Sequence, residues 1–366
     1  MNILWFTWKD LKHPEAGGAE IVNEQLARRL AANGHAVKLI VSAYPGCVAE
    51  ENVSGYEVVR LGNRYTVYLR AWRHYRSHLR DWPDLVIDEI NTVPFFAKFY
   101  ARQPVVLFVH MLCRQIWFYQ MVFPLSAIGY IIEPLYLRLL RRQKVITVSA
   151  STQHDLERHG FSRDNISVIS EGVELVPCAE LPEKDCAIEP TILSFGTVRP
   201  MKRTLQQLQA YEIAKRQIPQ LKLIIAGALD GAYGDKLRRR VGQSPYKADI
   251  TVLGRVSASK KTELMRQAHV ILSTAVKEGW GLTITEAATQ GTPAVAYDVD
   301  GLRDSIKNGV TGLVTQPNPN ALASGIVKLL SDPKAYQTMR NDAWTWSKEV
   351  TFDRSYDDFA KVVQNA

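Results

Sequence analysis

The run E-G-W-G-L-T-I-T-E, Glu278 to Glu286, sets two carboxylates on either side of a bare glycine turn. Gly279 and Gly281 leave backbone N–H groups accessible, and L-T-I-T-E-A-A-T from Leu282 reads as the start of a helix. Uncovered amides at the positive end of a helix form an anion site, so a diphosphate fits on this turn. Glu278 then lies just before the helix and Glu286 in its second turn. A carboxylate accepts two hydroxyl hydrogens at once, so each acid suits a sugar ring better than a phosphate. The competing reading is a surface turn with two solvated acids, and the surrounding chain decides between them.

That surrounding chain alternates strand and helix, the signature of parallel sheets covered by helices. Strand-like runs begin at Ile3, Ala36, Asp84, Val105 and Lys144, then again at Thr191, Leu221, Ile250, Val270 and Ala294. The first helix follows Gly17-Gly18, repeats Val22, Leu26 and Leu30, and stops at Asn33-Gly34. Between the two series, V-P-C-A-E-L-P-E-K-D-C-A-I-E-P has three prolines and no period, and reads as a linker. The fold class expected is therefore α/β: two Rossmann-like, doubly wound domains facing across a cleft, with ligand at the carboxyl ends of the strands. The boundaries expected are 1–185, 186–350 and a closing helix in 351–366.

Two other loops bear on the site. H-P-E-A-G-G-A-E, His13 to Glu20, leads straight into the first helix, so Gly17 and Gly18 bare amides where the dipole is positive. It lacks the G-x-G-x-x-G pattern, which weakens a nicotinamide-dependent oxidoreductase. F-G-T-V-R-P-M-K-R, Phe195 to Arg203, brings Arg199, Lys202 and Arg203 to the first strand-to-helix loop of the second half, where cations neutralise a diphosphate well. Asp298-Val299-Asp300, directly after a strand, imitates a D-x-D metal motif. His13, His74, His78, His154 and His159 show no ligand spacing.

Composition excludes several classes. At 366 residues the chain exceeds one ordinary core, and 46% apolar with 22% charged residues is a globular balance. Its four cysteines form no C-x-x-C pair, so neither zinc nor a disulfide framework is expected, and a reducing cytoplasmic compartment follows. The opening M-N-I-L-W-F reads as a first strand and not as a signal peptide. From Arg60 to Val145 there are 13 Lys and Arg against 5 Asp and Glu, an excess equal to the +8 of the whole chain. No nucleic-acid module accompanies that charge. The same window holds Gln115 to Ile132, which has no charged residue. Pro124, Gln115, Gln120 and Ser126 argue against a spanning helix, and Glu133-Pro134 ends the run. Buried helices with an aromatic edge toward an anionic membrane surface are expected instead.

The second half resembles the donor domain of retaining glycosyltransferases with the GT-B fold, family four. The similarity runs through A-G-A-L-D-G-A-Y-G, V-L-G-R-V, L-S-T-A-V-K-E-G-W-G-L-T-I-T-E-A-A-T-Q-G-T-P-A-V-A-Y-D-V-D-G-L-R-D-S-I and N-G-V-T-G-L-V. The first half resembles the same family through A-G-G-A-E, L-F-V-H and E-G-V-E. The resemblance implies a nucleotide-sugar-dependent transferase whose donor is a substrate, with no cofactor and no metal. By position, Glu286 holds the ribose and Glu278 the transferred sugar. Amides of Gly279, Trp280, Gly281 and Leu282, with Lys202, hold the diphosphate. Gly17 and Gly18 approach it from the other domain, and His110 lies beside the transferred sugar. Arg255 and Val256 carry the base through backbone groups. The family usually has arginine directly after Gly196, where this chain has Thr197. Either Arg199 reaches the phosphate from two residues on, the reading favoured here, or one contact is missing. The acceptor implied is a saccharide, a lipid-linked saccharide or a small-molecule hydroxyl, handled in the cytoplasm or on the inner membrane face. A non-catalytic sugar- or lipid-binding protein on the same fold is the alternative.

Overall fold

The computed structural model describes residues 1–186 and 188–366. They form two compact units, Met1–Gly172 with Phe352–Ala366, and Val173–Thr351.

The first unit is built on strands β1 (Asn2–Phe6), β2 (Ala36–Ser42), β3 (Glu50–Val53), β4 (Tyr56–Leu61), β5 (Leu85–Glu89), β6 (Val105–Val109), β7 (Lys144–Thr147) and β8 (Ile166–Val168). They lie in the order β3-β4-β2-β1-β5-β6-β7-β8. Every pairing is parallel except the β3–β4 hairpin. β5 and β6 are buried at every position, the expected condition of central parallel strands covered on both faces. The strand order reverses at β1, which sits between β2 and β5, so the loops after β1 and β5 open a crevice at their carboxyl ends. β3, β4 and β8 lie outside the sequence reading. β3 is E-E-N-V at a sheet edge, where polar residues are tolerated and no apolar period develops.

Its helices are α1 (Gly18–Ala32), α2 (Val67–His74), α3 (Trp117–Gln120), α4 (Leu125–Leu140) and α5 (Ala150–Arg158). The uncharged run ends at Glu133-Pro134, but its helix continues through Pro134 to Leu140. An interior proline frees the carbonyl four residues earlier, and here the Arg114 guanidinium donates to that Tyr130 carbonyl at 3.1 Å. The expectation of buried helices with an aromatic edge needs correction, because this helix exposes a chiefly aliphatic side. Ser126, Gly129 and Glu133 face the interior, whereas Ile128, Ile131 and Leu135 are exposed. Glu133 turns inward because it accepts from the Cys113 and Arg114 amides at 2.7 and 2.6 Å and from the Trp117 indole at 3.1 Å. Among the described residues, no helix is long and apolar enough to cross a membrane.

The second unit has β9 (Thr191–Phe195), β10 (Lys222–Ala226), β11 (Ile250–Gly254), β12 (Val270–Ser273), β13 (Ala294–Tyr297) and β14 (Gly312–Thr315), all parallel, in the order β11-β10-β9-β12-β13-β14. Around them lie α6 (Thr204–Lys215), α7 (Gly231–Gly242), α8 (Ala258–Gln267), α9 (Leu282–Thr289), α10 (Pro319–Leu330) and α11 (Pro333–Ser347). Here the order reverses at β9, between β10 and β12.

The division between the units falls after Gly172, ahead of the 185/186 boundary expected from the prolines. The proline-rich stretch belongs to the second unit because its backbone and Lys184 are bonded there. The Trp344 indole donates to the Cys178 carbonyl at 3.0 Å, Arg340 to that of Pro182 at 2.5 Å, and Lys184 to that of Ala268 at 2.6 Å. Composition marks a chain without periodic structure; it does not say which side supplies its partners.

The last helix, α12 (Phe352–Gln364), clusters with the first unit and packs on α1. Phe359 is fully buried, stacked on Trp5 at 5.6 Å and tilted against Phe108 at 5.9 Å. Phe359→Ala removes this wedge and is expected to cost about 3–5 kcal/mol, as for other buried phenylalanines. Urea unfolding checks it. A loss under about 1 kcal/mol means that the helix contributes little to the core of the first unit.

Candidate functional site

In the second unit the site grows from the loops after β9 and β12, the two strands flanking the reversal. Thr274 ties them together. Its hydroxyl donates to the Lys202 carbonyl at 2.8 Å and accepts from the Gln207 amide at 2.9 Å, while the Val276 amide donates to the Met201 carbonyl at 2.8 Å. Lys202, at the end of a short turn Pro200–Lys202, is thereby held beside Glu278, and the two side chains form an ion pair. Gly196, Thr197, Lys202, Thr274 and Thr283 line one small recess.

The α9 N-terminus closes that recess. Gly281 precedes it at φ 113°, and no side chain caps its first amides. Positive φ excludes most side chains, and a Cβ on Gly281 would lie 3.0 Å from the Ser305 hydroxyl. The Trp280 indole nitrogen is buried and has no hydrogen-bond partner. Glu286, in the second turn of α9, is buried, and its carboxylate accepts from Lys261 at 2.7 Å. Burial raises the Glu286 carboxyl above its ordinary range against the pull of Lys261.

The remaining expected residues are placed less tightly. Arg199 is exposed at the start of the Pro200–Lys202 turn, and Thr197 is exposed on the same loop. Arg255 is also exposed, 3.3 Å from Asp230, and Val256 packs on the core. Asp298 and Asp300 both pair with Arg303, and Asp300 lies 3.3 Å from Lys277. Two residues outside the expected set, Lys261 and Gly301, also shape the site. A Cβ on Gly301 would lie 2.2 Å from the Glu278 carbonyl, so the glycine closing D-V-D-G sets the position of Glu278. No motif flags Lys261; only the packing of α8 on α9 brings it to Glu286.

In the first unit Gly17 precedes α1, and the Gly17 amide donates to Glu20 at 2.6 Å. Glu20 also lies 3.4 Å from the Lys9 ammonium. One of the amides bared by Gly17 and Gly18 is thus already taken. His110, at the end of β6, is buried between two carboxylates: Nε2 is 3.7 Å from Glu89 and Nδ1 is 3.7 Å from Glu171. These separations exceed a hydrogen bond but lie within ion-pair range. Burial opposes the imidazolium, yet the carboxylates of Glu171 and Glu89 outweigh it, and the His110 pKa is raised. Glu89 itself accepts from Asn23 at 2.7 Å, Asn91 at 2.8 Å and the Trp5 indole at 3.0 Å. Its neighbour Asp88, pushed up to about 6 by burial, accepts from the Phe95 and Ala97 amides and pins the loop after β5. Neither Glu89 nor Glu171 was legible as a partner of His110, since sequence separation hides both.

Comparison with known proteins agrees across both halves. The family model described as glycosyl transferases group 1 matches residues 187–346, and that described as glycosyltransferase family 4 matches residues 16–176. An uncharacterized glycosyltransferase of Methanocaldococcus jannaschii is 26% identical, covering 100% of this chain and 97% of its own. The D-inositol 3-phosphate glycosyltransferase of Pseudarthrobacter chlorophenolicus is 26% identical over 57% of this chain and 54% of its own. Among solved structures, sucrose-phosphate synthase from Thermosynechococcus elongatus superposes with TM-score 0.81 at 20% identity, over 100% of this chain and 98% of that one. Anabaena HepE, solved with UDP-glucose, superposes with TM-score 0.74 at 18% identity over the full length of both.

If Glu171 raises the pKa of His110, Glu171→Gln must lower it. NMR titration of the histidine ring in labelled protein is expected to show His110 deprotonating at lower pH in the variant. An unshifted titration would remove Glu171 from the account and leave Glu89 as the governing charge.

Proposed function

The chain belongs to the GT-B glycosyltransferases of the family-four type, and we propose that it moves a sugar from a nucleoside-diphosphate donor to an acceptor hydroxyl, retaining anomeric configuration and using no metal. The observation that carries this reading is the uncapped N-terminus of α9 beside the Lys202–Glu278 pair. Backbone amides and a positive helix end are suited to a diphosphate. A bound diphosphate takes Lys202 as its counter-ion and releases Glu278 to the hydroxyls of the transferred sugar. The Trp280 indole is a further donor awaiting an acceptor. HepE was solved with UDP-glucose, which supports a nucleotide sugar as the donor class, and the name of the inositol phosphate enzyme supports a hydroxyl acceptor. Retention rests on the family resemblance.

In this reading the bond from the anomeric carbon to the diphosphate oxygen breaks, and its electron pair leaves on the phosphate. Lys202, Arg199 and the α9 amides stabilise that charge as it develops. The acceptor hydroxyl bonds to carbon on the same face, and its proton passes to the departing phosphate oxygen. Glu286 holds the ribose, and the family resemblance assigns His110 to the transferred sugar.

Because ribose contacts are nearly the same in ground and transition states, Glu286→Ala is expected to raise the donor KM roughly tenfold or more, with kcat little changed. Glu278 faces the carbon that gains positive charge, so Glu278→Ala lowers kcat by roughly a hundredfold with a smaller change in KM. Steady-state kinetics with UDP-glucose as first donor, on variants shown folded by circular dichroism, separates the two. Loss of affinity alone in both removes the division of labour, and wild-type kcat/KM in both moves the site elsewhere.

Cationic side chains and a helix end suffice for the diphosphate if no metal takes part. Activity in excess EDTA is then expected to equal that in Mg²⁺. Complete loss, restored by Mg²⁺ or Mn²⁺, would overturn metal independence and bring Asp298 and Asp300 back as ligands.

A further inference from the structure

The face of the first unit formed by α3, α4 and the loop between them has its apolar residues on the wrong side for a buried helix. Val122 and Phe123 are 76% and 81% exposed, and Ile128, Ile131, Leu135 and Leu139 continue the stripe along α4. Their spacing of three, four and four keeps them on one side of the helix. The opposite side, Ser126, Gly129, Glu133, Tyr136 and Leu140, is the one that packs inward.

This face is built and held. Glu133 receives two loop amides and the Trp117 indole, so the α3 segment is clamped onto α4. Gly129 permits the clamp, because a Cβ there would lie 2.3 Å from the Trp117 ring. The apolar stripe therefore cannot turn inward to hide. A contiguous exposed apolar face of this extent marks an interaction surface.

The charges around it select the occupant. Arg114, Arg138, Arg141 and Arg142 flank the stripe, and from Ile90 to His154 the only carboxylate is the buried Glu133. Arg114 lies over the Tyr130 ring, 4.2 Å from its centroid, at the edge of the patch. An aliphatic and aromatic stripe bordered by arginines matches the headgroup boundary of an anionic bilayer. A second copy fits less well. The partner's segment would bring the same arginines to the contact and no exposed carboxylate to offset them.

We infer that the α3–α4 face docks on the surface of an anionic phospholipid bilayer, with Phe123 and the Ile128–Leu139 stripe inserted at the acyl boundary and the arginines at the phosphates. The inference is independent of the donor chemistry.

The test is sedimentation of the full chain with vesicles of phosphatidylglycerol and phosphatidylcholine, against pure phosphatidylcholine. The wild type is expected to sediment with the anionic vesicles and to be released as salt rises. Phe123→Ser with Ile131→Ser is expected to weaken partitioning about tenfold or more. Arg141→Gln with Arg142→Gln is expected to weaken it by about fivefold per arginine. Both arginines are exposed, so this second pair answers the question even if the serine variant melts early. UDP binding by calorimetry, unchanged in every variant, separates loss of docking from loss of the donor site. Equal recovery with both vesicle types, or unchanged sedimentation of the variants, overturns the proposal. So does a dimer in size-exclusion chromatography that the serine substitutions dissolve.

Discussion

The hydroxyl of Thr274 is the small group on which the donor-side geometry depends. It donates to the Lys202 carbonyl and accepts from Gln207, so one buried oxygen joins the loop after β9 to the segment after β12. Together with the hydrogen bond from the Val276 amide to the Met201 carbonyl, that tie keeps Lys202 from sitting on a free loop, where its charge would be screened like any surface lysine. With it, the ammonium and the Glu278 carboxylate are presented together beside the bare end of α9. A parallel sheet makes this economical. Every strand ends on the same edge, so the loops after adjacent strands meet without a special connection.

Buried carboxylates organise the first unit in a comparable way. Asp88 holds the loop after β5 by two amides, Glu89 lies among Trp5, Asn23 and Asn91, and Glu133 clamps the α3 segment. Each is surrounded by donors, the condition under which burying a charge is tolerated. Burial nevertheless raises all three above their ordinary range. His110 sits in the field of Glu89 and Glu171, so its protonation is governed by neighbours and not by solvent. Glu133 has a second consequence. By taking the inward position on α4, it helps leave the aliphatic residues exposed along that face.

The glycines show how local rules and distant contacts combine. Gly281 is demanded by its own backbone, at φ 113°, and is legible as a turn beside a helix start. Gly301, itself at φ 80°, is demanded in addition by Glu278, a residue on another loop, because any side chain would strike its carbonyl. The D-V-D-G motif invited a metal reading for its acids, yet it meets the site through backbone: the Asp300 carbonyl accepts from the Glu278 amide at 3.0 Å, and Gly301 packs on the Glu278 carbonyl.

Alternation of apolar runs and amphipathic helices was enough to determine two parallel α/β sheets, because strands buried on both faces must be continuously apolar and must be joined by covering helices. The glycine turn between Glu278 and Glu286 was likewise legible, since bare amides before a helix have few other uses. Tertiary structure decided what is nonlocal: that Lys202 pairs with Glu278, that Lys261 meets Glu286, and that Glu89 and Glu171 bracket His110. It also decided that the proline-rich stretch belongs to the second unit. The clearest case is the uncharged run from Gln115 to Ile132. Its composition suggested burial, but hydropathy does not say which side of a helix faces inward. Three donors around Glu133 do, and they turn the apolar side out.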